Sequence, residues 1–178
     1  MTAKKKKWRI ELGSLIKEHG FNKGVELGVY RGKSFYHSLK SNPQLNLTGI
    51  DTWKSTKGYP QNKLHVYEMI CKTISLLFGN RARLMKQDAN ECVHSFVDGS
   101  LDFVHYDLYN FRISTVSLHE TTLGLWMPKI RENGILIGRN FTKRDIAAAL
   151  DNLGIQCQYY EGGENSSRKL LYAVMPQE

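Results

Sequence analysis

The stretch Lys23 to Ser34, K-G-V-E-L-G-V-Y-R-G-K-S, sets an apolar run from Val25 to Val29 around a carboxylate, Glu26, and a glycine, Gly28. Gly32 follows just before a helical pattern. A strand, a tight glycine turn and a helix start bring backbone N–H groups and a helix N-terminus up to a polar ligand. The spacing is E-x-G-x-x-x-G, which differs from the G-x-G-x-x-G of dinucleotide sites. Three further carboxylates, Asp51, Asp88 and Asp107, each close a short apolar run downstream. Asp51 stands about twenty residues past the turn, where a carboxylate can accept both hydroxyls of a ribose. Asp88 with Ala89 can offer a carboxylate and a backbone N–H to an adenine edge, or Asp88 can simply cap a helix.

The elements that would position these groups follow from periodicity. Helices are expected over 8–18, 34–40, 64–78, 89–97, 113–130 and from Thr142 to about 153, with Pro128 kinking or ending the fifth. Strands are expected over about 24–29, 45–50, 81–86, 101–106, 135–137, 155–160 and 169–175. A polar loop spans 52–61, a turn is expected at Glu132-Asn133-Gly134, and a second polar loop covers 162–167. The alternation of strand and helix means right-handed crossovers and a parallel sheet. The last two strands lack an intervening helix, so they pair as a hairpin and one of them runs antiparallel.

In such sheets the ligand crevice lies outside the carboxyl ends of the strands. Gly28, Asp51, Asp88, Asp107 and the Arg139-Asn140 pair after the fifth strand should therefore share one rim. Glu26, inside an apolar strand, needs partners because a buried lone carboxylate is costly. Backbone N–H groups of a neighbouring loop are the expected donors, with a ligand ammonium nearby. Trp53 either stacks on a base or covers the sheet edge. His105 shares the face parity of Asp107 and reads as a core histidine; His119 reads as structural or exposed.

The 178 residues suit one domain with a sizeable core. The net charge of +8 is partly local, in the run Lys4–Lys7. That run is either a solvated terminus or an arm for phosphates. Cys71, Cys92 and Cys157 are far apart with no C-x-x-C pair, which suggests neither zinc nor a redox motif. Cys71 and Cys92 read as core thiols suited to a reducing interior. No apolar stretch is long enough to cross a bilayer, and no apolar segment follows the basic N-terminus as in a signal peptide. A cytoplasmic location and no membrane partner are the expectation.

The ordered set V-E-L-G-V-Y-R-G-K-S, T-G-I-D-T-W, L-M-K-Q-D-A, S-L-D-F-V-H-Y-D and L-W-M-P-K-I-R-E-N-G-I-L-I-G resembles the class I S-adenosylmethionine-dependent methyltransferases. Within that class it is most similar to the small branch that methylates hydroxyls of sugars and secondary metabolites. The resemblance implies a Rossmann-like α/β fold with a seven-stranded, mostly parallel sheet, an antiparallel last strand and helices on both faces. It divides the chain into a basic N-terminal segment and helix, 1–22, and a single S-adenosylmethionine-binding domain, 23–178. It implies that Glu26, Gly28, Tyr30, Gly32 and Ser34 form the cofactor loop around the methionine part. Asp51, with Thr52 and Trp53, would hold the ribose, and Asp88 with Ala89 the adenine.

Asp107 would border the bound cofactor beside the methyl group, as a cofactor-site residue and as base or acceptor positioner, with Tyr109 and Arg139 as further catalytic candidates. Where relatives carry more carboxylates after the fourth and fifth strands, this chain reads Asp107-Leu108-Tyr109-Asn110 and Arg139-Asn140. Asp107 and Asn140 are too few oxygens for a divalent cation, so no metal is expected. The implied reaction is methyl transfer from S-adenosylmethionine to a small-molecule hydroxyl. The basic N-terminus motivates an RNA or other nucleic-acid acceptor as an alternative. The missing carboxylates motivate a second, a catalytically degenerate cofactor-binding protein. A homodimer could supply walls for an acceptor pocket that so lean a chain leaves open.

Overall fold

A computed structural model describes residues 7–54, 63–108, 114–138, 141–142, 144–160 and 171–175. Its elements are α1 (Lys7–Glu18), β1 (Lys23–Leu27), α2 (Lys33–Ser41), β2 (Asn46–Asp51), α3 (Lys63–Phe78), β3 (Ala82–Lys86), α4 (Ala89–Cys92), β4 (Leu101–Tyr106), α5 (Val116–Trp126), β5 (Ile130–Gly138), α6 (Arg144–Asn152), β6 (Gln158–Tyr159) and β7 (Leu171–Val174). The strands join one seven-stranded sheet in the order β3-β2-β1-β4-β5-β7-β6. Strands β1 to β5 run parallel, and β7 is antiparallel to both β5 and β6. Helical crossovers force the parallel part, and the helix-free return of the chain forces the reversal.

Alternation along the strands divides the interior in two. Val25, Leu27, Val104, Tyr106 and Leu136 face a core that also holds Trp126 of α5 and Ala149 and Leu150 of α6. Phe103, Ile135 and Ile137 face the other way, onto Trp8 and Leu12 of α1, Phe35 and Leu39 of α2, and Ile70 and Ile74 of α3. Both faces of the sheet are thus covered, as a parallel sheet requires. The expected N-terminal helix is part of the second core rather than a loose appendage, since Leu12, Leu15 and Ile16 are almost fully buried.

Several boundaries differ from the periodicity. The fourth helix stops at Cys92 and continues as one 3₁₀ turn, Val93–Ser95. The Ser95 hydroxyl donates to the Cys92 carbonyl (2.6 Å), and the extended backbone at Phe96 lets that ring lean on Trp126 at 5.0 Å. The fifth helix is Val116–Trp126, capped by the Thr115 hydroxyl, and Pro128 sits in a separate 3₁₀ turn. The sixth helix begins at Arg144, with Thr142 in the turn before it. The short fifth strand is in fact Ile130–Gly138, with the expected turn inside it. Leu101 pairs with Ile130 and Phe103 with Ile135, so the extra residues bulge out between them. Asn133 takes the left-handed conformation there (φ 57°), and a side chain on Gly134 would strike the Asp102 carbonyl. The sixth strand shrinks to Gln158–Tyr159. The polar loops at 55–61 and 162–167 lie outside the described residues.

One carboxylate gathers three strands at their amino ends. Asp102 accepts from the backbone N–H groups of Asn22 (2.7 Å) and Lys23 (2.8 Å) and from Arg131 Nε (2.7 Å). Burial pushes its pKa up, but the Arg131 hydrogen bond and the two N–H donors outweigh that and hold it below the ordinary value. A carboxylate with a depressed folded-state value stabilises the protein above its unfolded-state value, and that contribution is lost as pH falls through the folded-state one. Asp102→Asn is expected to cost about 1.5–3 kcal/mol near neutrality. The deficit should shrink below pH ~4, where the wild type also protonates. Urea unfolding at pH 7 and in that acid range measures both.

Candidate functional site

The carboxyl ends of β1, β2 and β4 meet around Gly28. The ladder continues past the strands: Gly28 N–H donates to the Ile50 carbonyl (2.8 Å) and Asp107 N–H to the Leu27 carbonyl (2.9 Å). Gly28 has φ 90°, and a Cβ there would stand 2.3 Å from the Asp107 carbonyl oxygen. Both facts require glycine. The chain then turns through Tyr30 (φ 50°), and Gly32 N–H closes on the Val29 carbonyl (2.9 Å). Gly32 is the N-cap of α2 in the left-handed conformation and supplies no side-chain cap. Gly32 thus offers no side-chain cap to the start of α2, and a helix N-terminus of this kind is suited to an anionic group.

Asp51 locks this turn to the next loop. One carboxylate oxygen accepts from Tyr30 N–H (2.9 Å), the other from Trp53 N–H (2.8 Å). Each oxygen keeps a lone pair for a further donor. Trp53, at 3% exposure, has its ring 4.6 Å from Tyr67 and its Nε1–H on the Tyr30 carbonyl (2.9 Å). Of its two expected roles, covering and bracing describes its position; it presents no open ring face. The Thr52 hydroxyl accepts from Lys54 N–H (3.3 Å). Tyr30 is exposed above the turn.

On the far side of β2, Asp88 caps α4 through Asn90 N–H (2.8 Å). The Ala89 carbonyl accepts from Trp126 Nε1 (3.1 Å), so this corner rests on a fully buried indole of α5. Asp107 is half-buried beside Gly28. Tyr109, Asn110, Arg139 and Asn140 lie outside the described residues.

Glu26 is the largest departure from expectation. It is 1% exposed, and its described partners are side chains rather than loop N–H groups. Oε1 accepts from Ser34 Oγ (2.6 Å), and Oε2 lies 3.3 Å from His105 Nδ1. Glu26 is sealed beneath the turn, and Ser34 is engaged with it from the first turn of α2. The signal for this pair was available: Glu26 and His105 are each one residue short of the ends of adjacent strands, hence on one face. His119 departs too. It is fully buried and bonded on both ring nitrogens, to Tyr106 Oη (2.7 Å) and Ser114 Oγ (2.6 Å).

Cys92 is buried and Cys71 half-buried. Burial pushes the Cys92 and Cys157 thiols up to about 11, which makes them poor nucleophiles. Among the described residues no group of His, Cys, Asp or Glu is arranged to hold a metal ion, and no helix is long and apolar enough to cross a membrane.

A family profile described as "Methyltransferase domain" matches residues 25–141, from β1 through the end of β5 and just beyond. The chain belongs to this family. It is a class I S-adenosylmethionine-dependent methyltransferase domain, as its motifs implied. Solved structures share the fold. A provisionally assigned caffeoyl-CoA O-methyltransferase of Staphylococcus aureus superposes with TM-score 0.63 at 13% identity, over 94% of this chain and 83% of that one. An O-methyltransferase family protein of Burkholderia thailandensis gives 0.65 at 13%, over 96% and 56%, so the methyltransferase domain here spans little more than half of that protein. The 1,6-didemethyltoxoflavin-N1-methyltransferase of the same organism, solved with 1,6-didemethyltoxoflavin and S-adenosylhomocysteine, gives 0.61 at 13%, over 95% and 79%. No curated protein matches the chain in sequence.

Gly28→Ala tests the rim directly. The added methyl meets the Asp107 carbonyl in a conformation that already disfavours a side chain. The variant is expected to lose more than ~2 kcal/mol of stability, read as a fall in the urea midpoint. Ala at Gly20, which is equally left-handed but has open space around a Cβ, should cost about 1 kcal/mol.

Proposed function

We propose that the domain binds S-adenosylmethionine across this rim and transfers its methyl group to a hydroxyl of a sugar or other small molecule. The observation that carries the reading is Asp51, whose two oxygens fix the glycine turn and the loop after β2 while each keeps capacity for a ribose hydroxyl. The rest of the donor set fits the same molecule. The N-terminus of α2, behind the side-chain-free Gly32, suits the methionine carboxylate, and Asp88 with Ala89 suits the adenine edge. The proposed unit for this binding is 23–178, with 1–22 as a basic segment and a helix, of which α1 packs against the second core.

The cofactor supplies an activated methyl on a sulfonium, so the protein's work is alignment and proton removal. Asp107, half-buried at the end of β4 and touching the turn through its own backbone, is positioned to orient the acceptor hydroxyl and take its proton. Tyr109 and Arg139 remain proposals from the sequence, Tyr109 as a hydrogen-bond donor and Arg139 as a partner for an anionic group of the acceptor. A hydroxyl acceptor is favoured by the motif resemblance and by the O-methyltransferases of like fold. An N-methyltransferase of like fold makes a nitrogen acceptor the outcome to exclude by product analysis.

Calorimetry with S-adenosylmethionine and S-adenosylhomocysteine is the first test; binding of neither overturns the reading. With binding, Asp51→Ala is expected to weaken affinity by ~1–3 kcal/mol. Asp107→Asn should lower kcat while leaving cofactor affinity within about threefold, since it removes a group used only in the chemical step. Cofactor binding without transfer to any acceptor would instead mark a degenerate domain.

One observation favours a second reading, a nucleic-acid acceptor. The helix that follows the lysine run begins near the carboxyl end of β4: its buried Trp8 ring lies 6.1 Å from His105, one residue from the end of that strand. Under this reading, affinity for generic RNA should fall steeply between 50 and 200 mM salt, by about 0.7 log unit per released counterion and log of salt. Salt-insensitive or absent RNA binding removes it.

A further inference from the structure

A row of residues crosses the sheet just short of the strand ends: Leu84, Gly49, Glu26, His105, Ile137 and Tyr172. Within it Glu26 and His105 are neighbours able to carry opposite charge, and each is 1% exposed. Burying such a pair costs desolvation energy that a well-packed apolar pair would avoid. What the apolar pair could not do is aim a carboxylate at Ser34. Glu26 Oε1 accepts that hydroxyl at 2.6 Å, in the first turn of α2, directly behind the left-handed Gly32.

Among the described residues neither ring nitrogen of His105 makes a hydrogen bond. Its Nδ1 faces Glu26 Oε2 across 3.3 Å, an ion-pair distance short of hydrogen-bond alignment, and among the described residues neither of these two atoms has a hydrogen-bond partner. The Trp8 ring of α1 lies 6.1 Å from the imidazole. The arrangement is a buried chain, His105 to Glu26 to Ser34, running from β4 through β1 into the helix start that borders the rim. Its one slack link is the first.

We propose that His105 is a positioning residue: through Glu26 and Ser34 it sets the helix start and glycine turn in the geometry that accepts the amino-acid end of the cofactor, and the 3.3 Å link tightens when that end is bound. This rests on the S-adenosylmethionine reading above. His105 touches no ligand and takes no part in proton removal from the acceptor.

The test is a double-mutant cycle on S-adenosylhomocysteine affinity, using wild type, His105→Gln, Glu26→Gln and the pair. Each single variant is expected to bind about tenfold more weakly, and the double variant no more weakly than the worse single, because the two act as one unit. In parallel, the His105 imidazole ¹⁵N resonances, assigned through their contacts to the Trp8 ring, should shift when the wild type is saturated with S-adenosylhomocysteine. Wild-type binding with unchanged affinity in His105→Gln overturns the proposal alone, as does a variant with lowered thermal stability but wild-type affinity. Should His105→Gln fail to fold, unmoved ¹⁵N resonances on saturation overturn it. Failure of the wild type to bind S-adenosylhomocysteine overturns the cofactor reading and this proposal together.

Discussion

The close approach of Gly28 to Asp107 is the constraint on which the site depends. Two parallel strands end side by side, and their chains cross so tightly that no side chain fits between them. That crossing decides where the turn after β1 can go. The turn places Tyr30 N–H on Asp51, Asp51 reaches Trp53, and Trp53 returns its indole to the Tyr30 carbonyl. The result is a closed ring of polar contacts in which each bond joins a backbone group to one of two side chains, the Asp51 carboxylate or the Trp53 indole. Such a ring is indifferent to most side-chain changes in the loop and sensitive to the few residues that hold it.

Polar residues in this domain do two kinds of work that look alike in a sequence. Asp102 and Glu26 are both carboxylates on central strands. Asp102 sits at the amino ends and binds three strands with satisfied, directional bonds. Glu26 sits near the carboxyl ends, fully buried, with one strong bond and one loose neighbour. The first arrangement is what stability alone would select. The second leaves a polar atom short of a partner in the interior, which proteins seldom tolerate without a use for it.

Much of this was legible in the chain. The alternation of elements fixed the parallel sheet, and the helix-free end fixed its one reversed strand. Strand-end carboxylates converged on one rim because position along a strand is readable from a period of two. The misses have physical causes. The expected turn at Glu132–Gly134 is real turn chemistry, but pairing with β4 resumes on both sides, and only tertiary contact shows that. Glu26 was expected to find the backbone donors of a neighbouring loop; its real partners are the Ser34 hydroxyl in the first turn of α2 and His105, far along the chain on β4.

The two cores on opposite faces of the sheet have a consequence for the rim above them. The corner at Asp88 and Ala89 stands on Trp126 and the α5 core, whereas the glycine turn stands on Glu26, Phe35 and the α1–α2 core. The crevice therefore straddles a seam, and the layers beneath its halves meet only through the sheet itself. A molecule long enough to engage both halves would act as a rivet across that seam. Each layer could breathe alone in the empty domain, and the two would be clamped to a common motion once the crevice is filled.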